Sequence, residues 1–356
     1  MKISKENFGK AASGKAIEKF IIGAPNGIKL GLITYGASIQ ELWVPDKNGK
    51  LDDIVLGFDD FASYEKHQYF SGAIIGRYAN RINKGTFILD DRAYELAKNL
   101  GKHHLHGGTV GFGKKVWEAS PFEGTEAAGV TFSYFSSDGE EAYPGNLTVQ
   151  VTYTLLSSGT LTIDYYASSD STTHVNLTNH AYFNLKGAGE GDVLEHHLMI
   201  NAPYFTPVTE EVVPTGEIIS VRGTPFDFTK AKPIGQDIDQ TDEQLKRGGG
   251  YDHNFVLNMP MGNGQLGLVA QVNEPKTGRT LEILGTQPGV QLYTANFLDA
   301  DPVGKGGKVY QQRGAFCLET QHFPDSPNMS HFPSTVVLPE KPYNQTAVFK
   351  FGISND

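Results

Sequence analysis

Four short stretches of this chain set ionisable and amide side chains among strongly β-forming neighbours. GRYANRI, at 76–82, follows apolar Ala73, Ile74 and Ile75. A strand ending in Asn80 and Arg81 presents neutral and cationic donors suited to sugar hydroxyls, and the same residues also suit a charged surface. HHLHGG follows at 103–108. In an extended chain His104 and His106 point to one face, a spacing that can ligate zinc, with Glu195, His196 and His197 as further ligands. Surface histidines are a second reading. A sugar-facing His106, with Gly107 and Gly108 letting backbone approach a ligand, is the third. NLTNHAYFNL, at 176–185, holds His180 among amide, aromatic and apolar side chains. That is the make-up of a pocket with one group titrating near neutrality, or of a core with one satisfied histidine. In FCLETQHFPD, at 316–325, Glu319 interrupts an apolar strand. Desolvation penalises a buried carboxylate, so Glu319 needs a reason to be there. Together the four stretches supply a carboxylate, histidines, Asn and Arg, with no phosphate loop, no GxGxxG and no nucleophile elbow.

The elements that must carry these groups are strands. In NLTVQVTYTL (146–155), Leu147, Val149, Val151, Tyr153 and Leu155 fall on one face and Thr148, Gln150, Thr152 and Thr154 on the other. A Ser157-Ser158-Gly159 turn leads to Leu161, Ile163 and Tyr165 at the same spacing, which predicts a hairpin. Similar runs recur at IKLGLITYG, GTFILDDRAYEL, VTFSYFSS, TLEILGTQPGVQLYTANF, AFCLETQHF and AVFKFG, between Gly, Pro, Asn and Asp clusters. Only 59–68 and 238–246 have a helical pattern, too few for the βαβ alternation of a parallel sheet. The expectation is all-β: one large antiparallel β-sandwich in a single domain over 1–356, since no repeat, low-complexity tract or linker divides the chain.

The 356 residues include 21 Phe, 16 Tyr and 41 Gly, which describes a globular chain with an ample core and many turns. The net charge is −10 and no basic stripe is present, which argues against nucleic acid or an anionic membrane as partner. A single cysteine, Cys317, suits a reducing compartment and reads as a buried structural thiol. With a polar N-terminus and no apolar run of about 20 residues, a cytoplasmic address is expected. Monomer and homodimer are both open.

GRYANRI, HLHGG, YPGNLTVQVTYTL, NLTNHAYFNL, TPVTEEVVPTGEI, GTPFDF, YDHNFVL, PGVQLYTANFLD and CLETQHFPDSPN run almost end to end along the chain. In this ordered set the sequence closely resembles the aldose 1-epimerase (galactose mutarotase) family. The resemblance implies a large antiparallel β-sandwich and the interconversion of α and β anomers of free hexoses such as galactose or glucose, with no cofactor and no metal. It implies that Glu319 is the catalytic base and His180 the catalytic acid. It makes Asn80, Arg81, His106, Tyr182, Asp252 and Gln291 sugar-contacting residues, with Asp252 and Asn80 holding remote hydroxyls, Arg81 or His106 polarising the ring oxygen and Tyr182 offering an apolar platform. Arg77 rivals Arg81, because a one-residue shift in this segment swaps faces. His103 stands where many relatives have Asn, and Ala142 where they have Gly. A glycosidase using Glu319 with Asp252, a non-catalytic sugar-binding protein and a hexose-6-phosphate epimerase are the competing readings. Reference pKa values of about 4.3 for Glu and 6.5 for His make an ionised Glu319 and a protonated His180 the expected working form.

Overall fold

The computed structural model describes residues 1–67, 69–259, 264–298 and 303–354. Gln68, last of the expected 59–68 helix, and Asp299, last of PGVQLYTANFLD, lie outside them.

Alternation becomes burial as the sequence requires. Along Leu147–Leu156 every residue of the apolar set is buried while the intervening ones face outward. The turn at 157–160 returns the chain into Leu161–Ser169, which pairs antiparallel with it from Leu147↔Ser169 to Leu155↔Leu161. This hairpin sits inside a nine-stranded sheet. Its order is Glu118–Glu123, Ala127–Ser136, Leu147–Leu156, Leu161–Ser169, Tyr343–Ile353, Arg279–Gly285, Gly267–Asn273, His197–Ile200 and Lys232–Pro233. A five-stranded sheet over Ile3–Lys10, Ala16–Gly23, Lys29–Ile33, Ser38–Pro45 and Leu51–Asp53 forms a sequential meander. A second five-stranded sheet, the site sheet below, runs Ile219–Ser220, Tyr204–Thr206, Asp252–Val256, Gly289–Tyr293 and Cys317–Gln321. All pairings between these strands are antiparallel. One buried cluster draws on all three sheets, through Leu30 and Leu42, Val151 and Ile283, and Phe255 and Leu292, so the architecture is a large antiparallel β-sandwich.

Two expectations about local structure change. GTFILDDRAYEL is a hairpin, not one strand: Asp90 and Asp91 both take positive φ, 49° and 59°, between Thr86–Leu89 and Arg92–Glu95. Paired left-handed residues are what a two-residue hairpin turn demands, and Asp tolerates that region. The helical segments are also shorter than their patterns. They cover Phe61–Lys66 behind an Asp60 cap and Glu243–Gly248 behind an Asp242 cap. Asp60 accepts the backbone N–H of Ser63, and Asp242 those of Gln244 and Leu245, which fixes each start inside its polar run.

Candidate active site

Register builds the site sheet's polar face. Asn254 pairs with Gln291 and Gln291 with Glu319, while Asp252 pairs with Tyr293 and Tyr293 with Cys317. Directly opposed residues share a face and alternate residues return to it, so these six side chains lie together. Phe255, Val290, Leu292 and Leu318 occupy the other face and enter the core. The apolar residues of the other face pack into the core beneath Glu319, which is 2% exposed and still on the pocket face.

Asp252 anchors one end of that face. Gln291 Nε2 donates to its Oδ1 at 2.7 Å and Arg81 Nη2 to its Oδ2 at 3.1 Å. Glu319 is less satisfied. Its Oε1 lies 3.7 Å from His180 Nε2, and its buried Oε2 has no hydrogen-bond partner among the described residues. His180 arrives from a separate layer. The short strand Thr178–Asn179 pairs with Ile74–Ile75, and His180 then bonds through N to Ala73 O and through O to Gly72 N, each at 2.9 Å. Its ring lies between Tyr182 at 4.9 Å and Phe70 at 6.2 Å, both inclined by 29°. The edge of His106 stands 5.4 Å away, and Cys317 Sγ is 3.6 Å from Nδ1.

Asn80 and His106 complete the wall from a two-stranded ribbon, Arg81–Ile82 against His104–Leu105. Both leave the extended conformation, with φ of 66° and 51°. His106 N donates to Asn80 O at 2.9 Å and Asn80 N to His106 Nδ1 at 3.2 Å. An accepting Nδ1 leaves the proton of neutral His106 on Nε2. Asn80 Oδ1 also takes Arg81 N at 3.0 Å, so one amide orients the arginine that grips Asp252.

The positive φ of His106 separates it from His104, contrary to the extended geometry the sequence suggested. His104 is a core group, its Nδ1 2.7 Å from Ala97 O and its Nε2 2.8 Å from Tyr143 Oη. His196 is likewise buried and accepts Leu185 N. The zinc reading therefore loses its ligand set, and no group of three or more His, Cys, Asp and Glu converges among the described residues. Gly107 and Gly108 are packed against the protein itself: a Cβ on Gly107 would stand 1.8 Å from Gly76 O, and one on Gly108 2.1 Å from Glu141 Oε2. Arg77 resolves in favour of its rival. Its guanidinium is buried against Pro144 O, Gly145 O and Ser136, away from Asp252. His103 bonds Lys84 N and faces Glu211 at 3.2 Å.

The family model for aldose 1-epimerase matches residues 18–350. The chain belongs to the aldose 1-epimerase family. It is 43% identical to the galactose mutarotase of Bos taurus over 353 residues, 99% of each chain. An aldose epimerase homologue from C. elegans superposes with a TM-score of 0.85 at 34% identity, over 94% of this chain and 98% of its own. A galactose 1-epimerase from Lactobacillus acidophilus gives 0.87 at 28% identity over 99% of both.

Within this aldose 1-epimerase-family pocket, burial dominates the electrostatics. It pushes the Glu319 carboxyl well above the usual range, reinforced by Asp252 and opposed by Arg81. It brings His180 down to about 4, against smaller upward pulls from its own backbone and from Asp252. His106 is also driven well down, by burial, then by His180 and Arg81. The order expected from reference values is thus reversed, because burial favours the neutral form of each group. Sequence reasoning assigned no site role to Phe70, Tyr293 or Cys317. The last is buried as expected, but it has a histidine beside it. Its position two residues before Glu319 in a strand was the available signal, because period-2 geometry sends both side chains to one face.

Proposed function

We propose that this chain, an isomerase, interconverts the α and β anomers of a free hexose such as galactose or glucose, with Glu319 and His180 as its proton-transfer pair. One observation carries the assignment: a buried carboxylate with an unpartnered oxygen stands 3.7 Å from a buried imidazole. A buried acceptor without a partner is costly, and a substrate hydroxyl satisfies it. Glu319 takes the C1 hydroxyl proton, the bond from C1 to the ring oxygen breaks, and His180 gives a proton to that oxygen. Rotation about C1–C2 presents the other carbonyl face, and the same transfers run backwards. The proton count closes, so no cofactor or metal enters the scheme. A hydroxyl donating to Glu319 Oε2 favours the carboxylate and draws the shared proton to His180, producing the working form from the resting one.

Asn80, Arg81, His106, Asp252 and Gln291 form the hydroxyl-binding wall in this reading, and Arg81 and His106 offer donors where negative charge develops. Tyr182 acts chiefly by packing on His180. A glycosidase built on Glu319 and Asp252 is disfavoured, because both Asp252 oxygens are occupied by Arg81 and Gln291. A single domain, a monomeric or homodimeric state, no nucleic-acid partner and a cytoplasmic address belong to the same reading, supported by the acidic balance and the lone buried cysteine. No helix among the described residues is long and apolar enough to cross a membrane.

Polarimetry on freshly dissolved α-D-galactose and α-D-glucose tests the activity. Glu319→Gln should slow mutarotation by at least about 100-fold while calorimetric sugar affinity stays within a few fold. Wild-type protein that binds sugar without changing its optical rotation would make the pocket a lectin site.

A further inference from the structure

We propose that Asp325 is a positioning residue for the sugar-binding wall: from the loop that follows the Glu319 strand it brackets residues 81–83 and so sets where the Arg81 guanidinium stands. This rests on reading Arg81 as a sugar contact. Asp325 is fully buried, with a φ of 58°. Its backbone N donates to Arg81 O at 2.8 Å, and its Oδ1 accepts Asn83 N at 2.9 Å and Asn328 Nδ2 at 2.6 Å. One residue thus holds the ribbon's backbone on both sides of Ile82. Other bonds join the same two segments. Tyr78 Oη donates to Phe323 O at 3.0 Å and accepts Ser326 N at 3.1 Å, and Asn176 Nδ2 bridges Ala79 O and His322 O at 3.3 Å each.

An Asp that opens a helical turn ordinarily caps it. Asp325 opens Ser326–Asn328 but makes no side-chain cap bond there, and its carboxylate crosses to Asn83 instead. Burial raises its carboxyl to about 6, against the pull of Asn83 N and then of Asn328, so at neutral pH the group is an anion. Its Oδ2 has no hydrogen-bond partner among the described residues. Such a carboxylate costs desolvation that an Asn amide would not, and what it gains is charge-assisted bonds to Asn83 and Asn328. The consequence lies at Arg81. Its Nη2 donates to Asp252 Oδ2 at 3.1 Å and its Nη1 to Asn80 Oδ1 at 3.3 Å, while its buried Nε has no partner among the described residues. In the sugar-contact reading Nε is a free donor for a hydroxyl, and its place depends on the backbone that Asp325 holds.

The test is a mutant cycle on the intact chain, read by calorimetric titration with D-galactose and D-glucose. Asn tolerates the left-handed backbone and keeps an acceptor, so Asp325→Asn should fold as wild type and weaken sugar binding about 3- to 10-fold, the scale of one hydrogen bond. Asp325→Ala loses the acceptor and should weaken binding more. Because Asp325 acts through Arg81, neither substitution should cost more than about a further two-fold when added to Arg81→Ala. Where Arg81→Ala binds too weakly for calorimetry, kcat/KM from polarimetry reads the same cycle. A general packing defect would instead weaken binding equally in both backgrounds. Asp325→Asn with wild-type affinity, or equal losses with and without Arg81, overturns the proposal, and the Asn variant decides the matter even where Asp325→Ala does not fold. Arg81→Ala with wild-type affinity would sink the sugar-contact reading and this proposal with it. Weak binding by Arg81→Ala beside an unaffected Asp325→Asn would overturn this proposal alone.

Discussion

Burial acts in opposite senses on the two members of the pair, raising Glu319 and lowering His180 to about 4. Under the proposed acid–base pair, the active free enzyme is the one-proton state, whichever group holds the proton. Acidification adds a second proton at His180, and alkalinisation removes the first from Glu319. The kcat/KM profile should therefore fall on the acid side near the low His180 value and on the alkaline side only well above the ordinary carboxylate range. That reverses the assignment of limbs that reference values suggest. A pH–rate series should show an acid limb near the low His180 value, and an acid limb near 6.5 that disappears in His180→Asn would contradict the burial argument. Individual residue types foretold much at this scale. Glu319 stood out because a carboxylate in an apolar strand needs a reason. Arg81 could not be told from Arg77, nor His106 from His104, because both choices hang on the local backbone. Positive φ at Asn80 and His106 ends the alternation that pattern reading assumes.

Strands were legible wherever one face is buried, as in Leu147–Leu156, because core and solvent impose opposite demands on successive residues. The site sheet was harder to read, since both of its faces are buried and one is polar. Sequence pattern cannot mark that polar face as interior. The strand that leads to His180 is tied to the core at Tyr153, whose hydroxyl donates to Ala37 O at 2.7 Å and accepts from Asn179 Nδ2 at 3.1 Å. Asn179 in turn donates to Gly72 O, beside the His180 backbone contacts. Tyr153→Phe should cost about 1–3 kcal/mol in denaturant unfolding by orphaning Ala37 O, with mutarotation reduced only a few fold because Gly72 O still holds Asn179. A loss of activity exceeding about 100-fold in a folded variant would mean that this strand sets the position of His180 more strongly than its own backbone bonds do.

Across the whole molecule the pocket gathers chain segments more than 200 residues apart, from Asn80 and Arg81 through His106, His180 and Asp252 to Glu319. Local spacing named Asn80, Arg81, His106, His180 and Glu319 in four separate clusters, the resemblance alone named Asp252, and no periodicity linked them. Their meeting depends on three sheets packing around one core, and the resemblance supplied that assembly before the structure displayed it. Under the proposed function the consequence of the meeting is coupling: Glu319 and His180 would act on the same bond-breaking event, so losing either would disable one step. A mutant cycle on mutarotation rate, with folding of each variant checked, measures this directly. Glu319→Gln and His180→Asn should each lose at least about 100-fold, and the double variant should be only slightly slower than the poorer single one, far from the roughly 10⁴-fold loss of independent sites. Losses that multiply in full would contradict the account, because the two groups would then not be partners in one proton transfer.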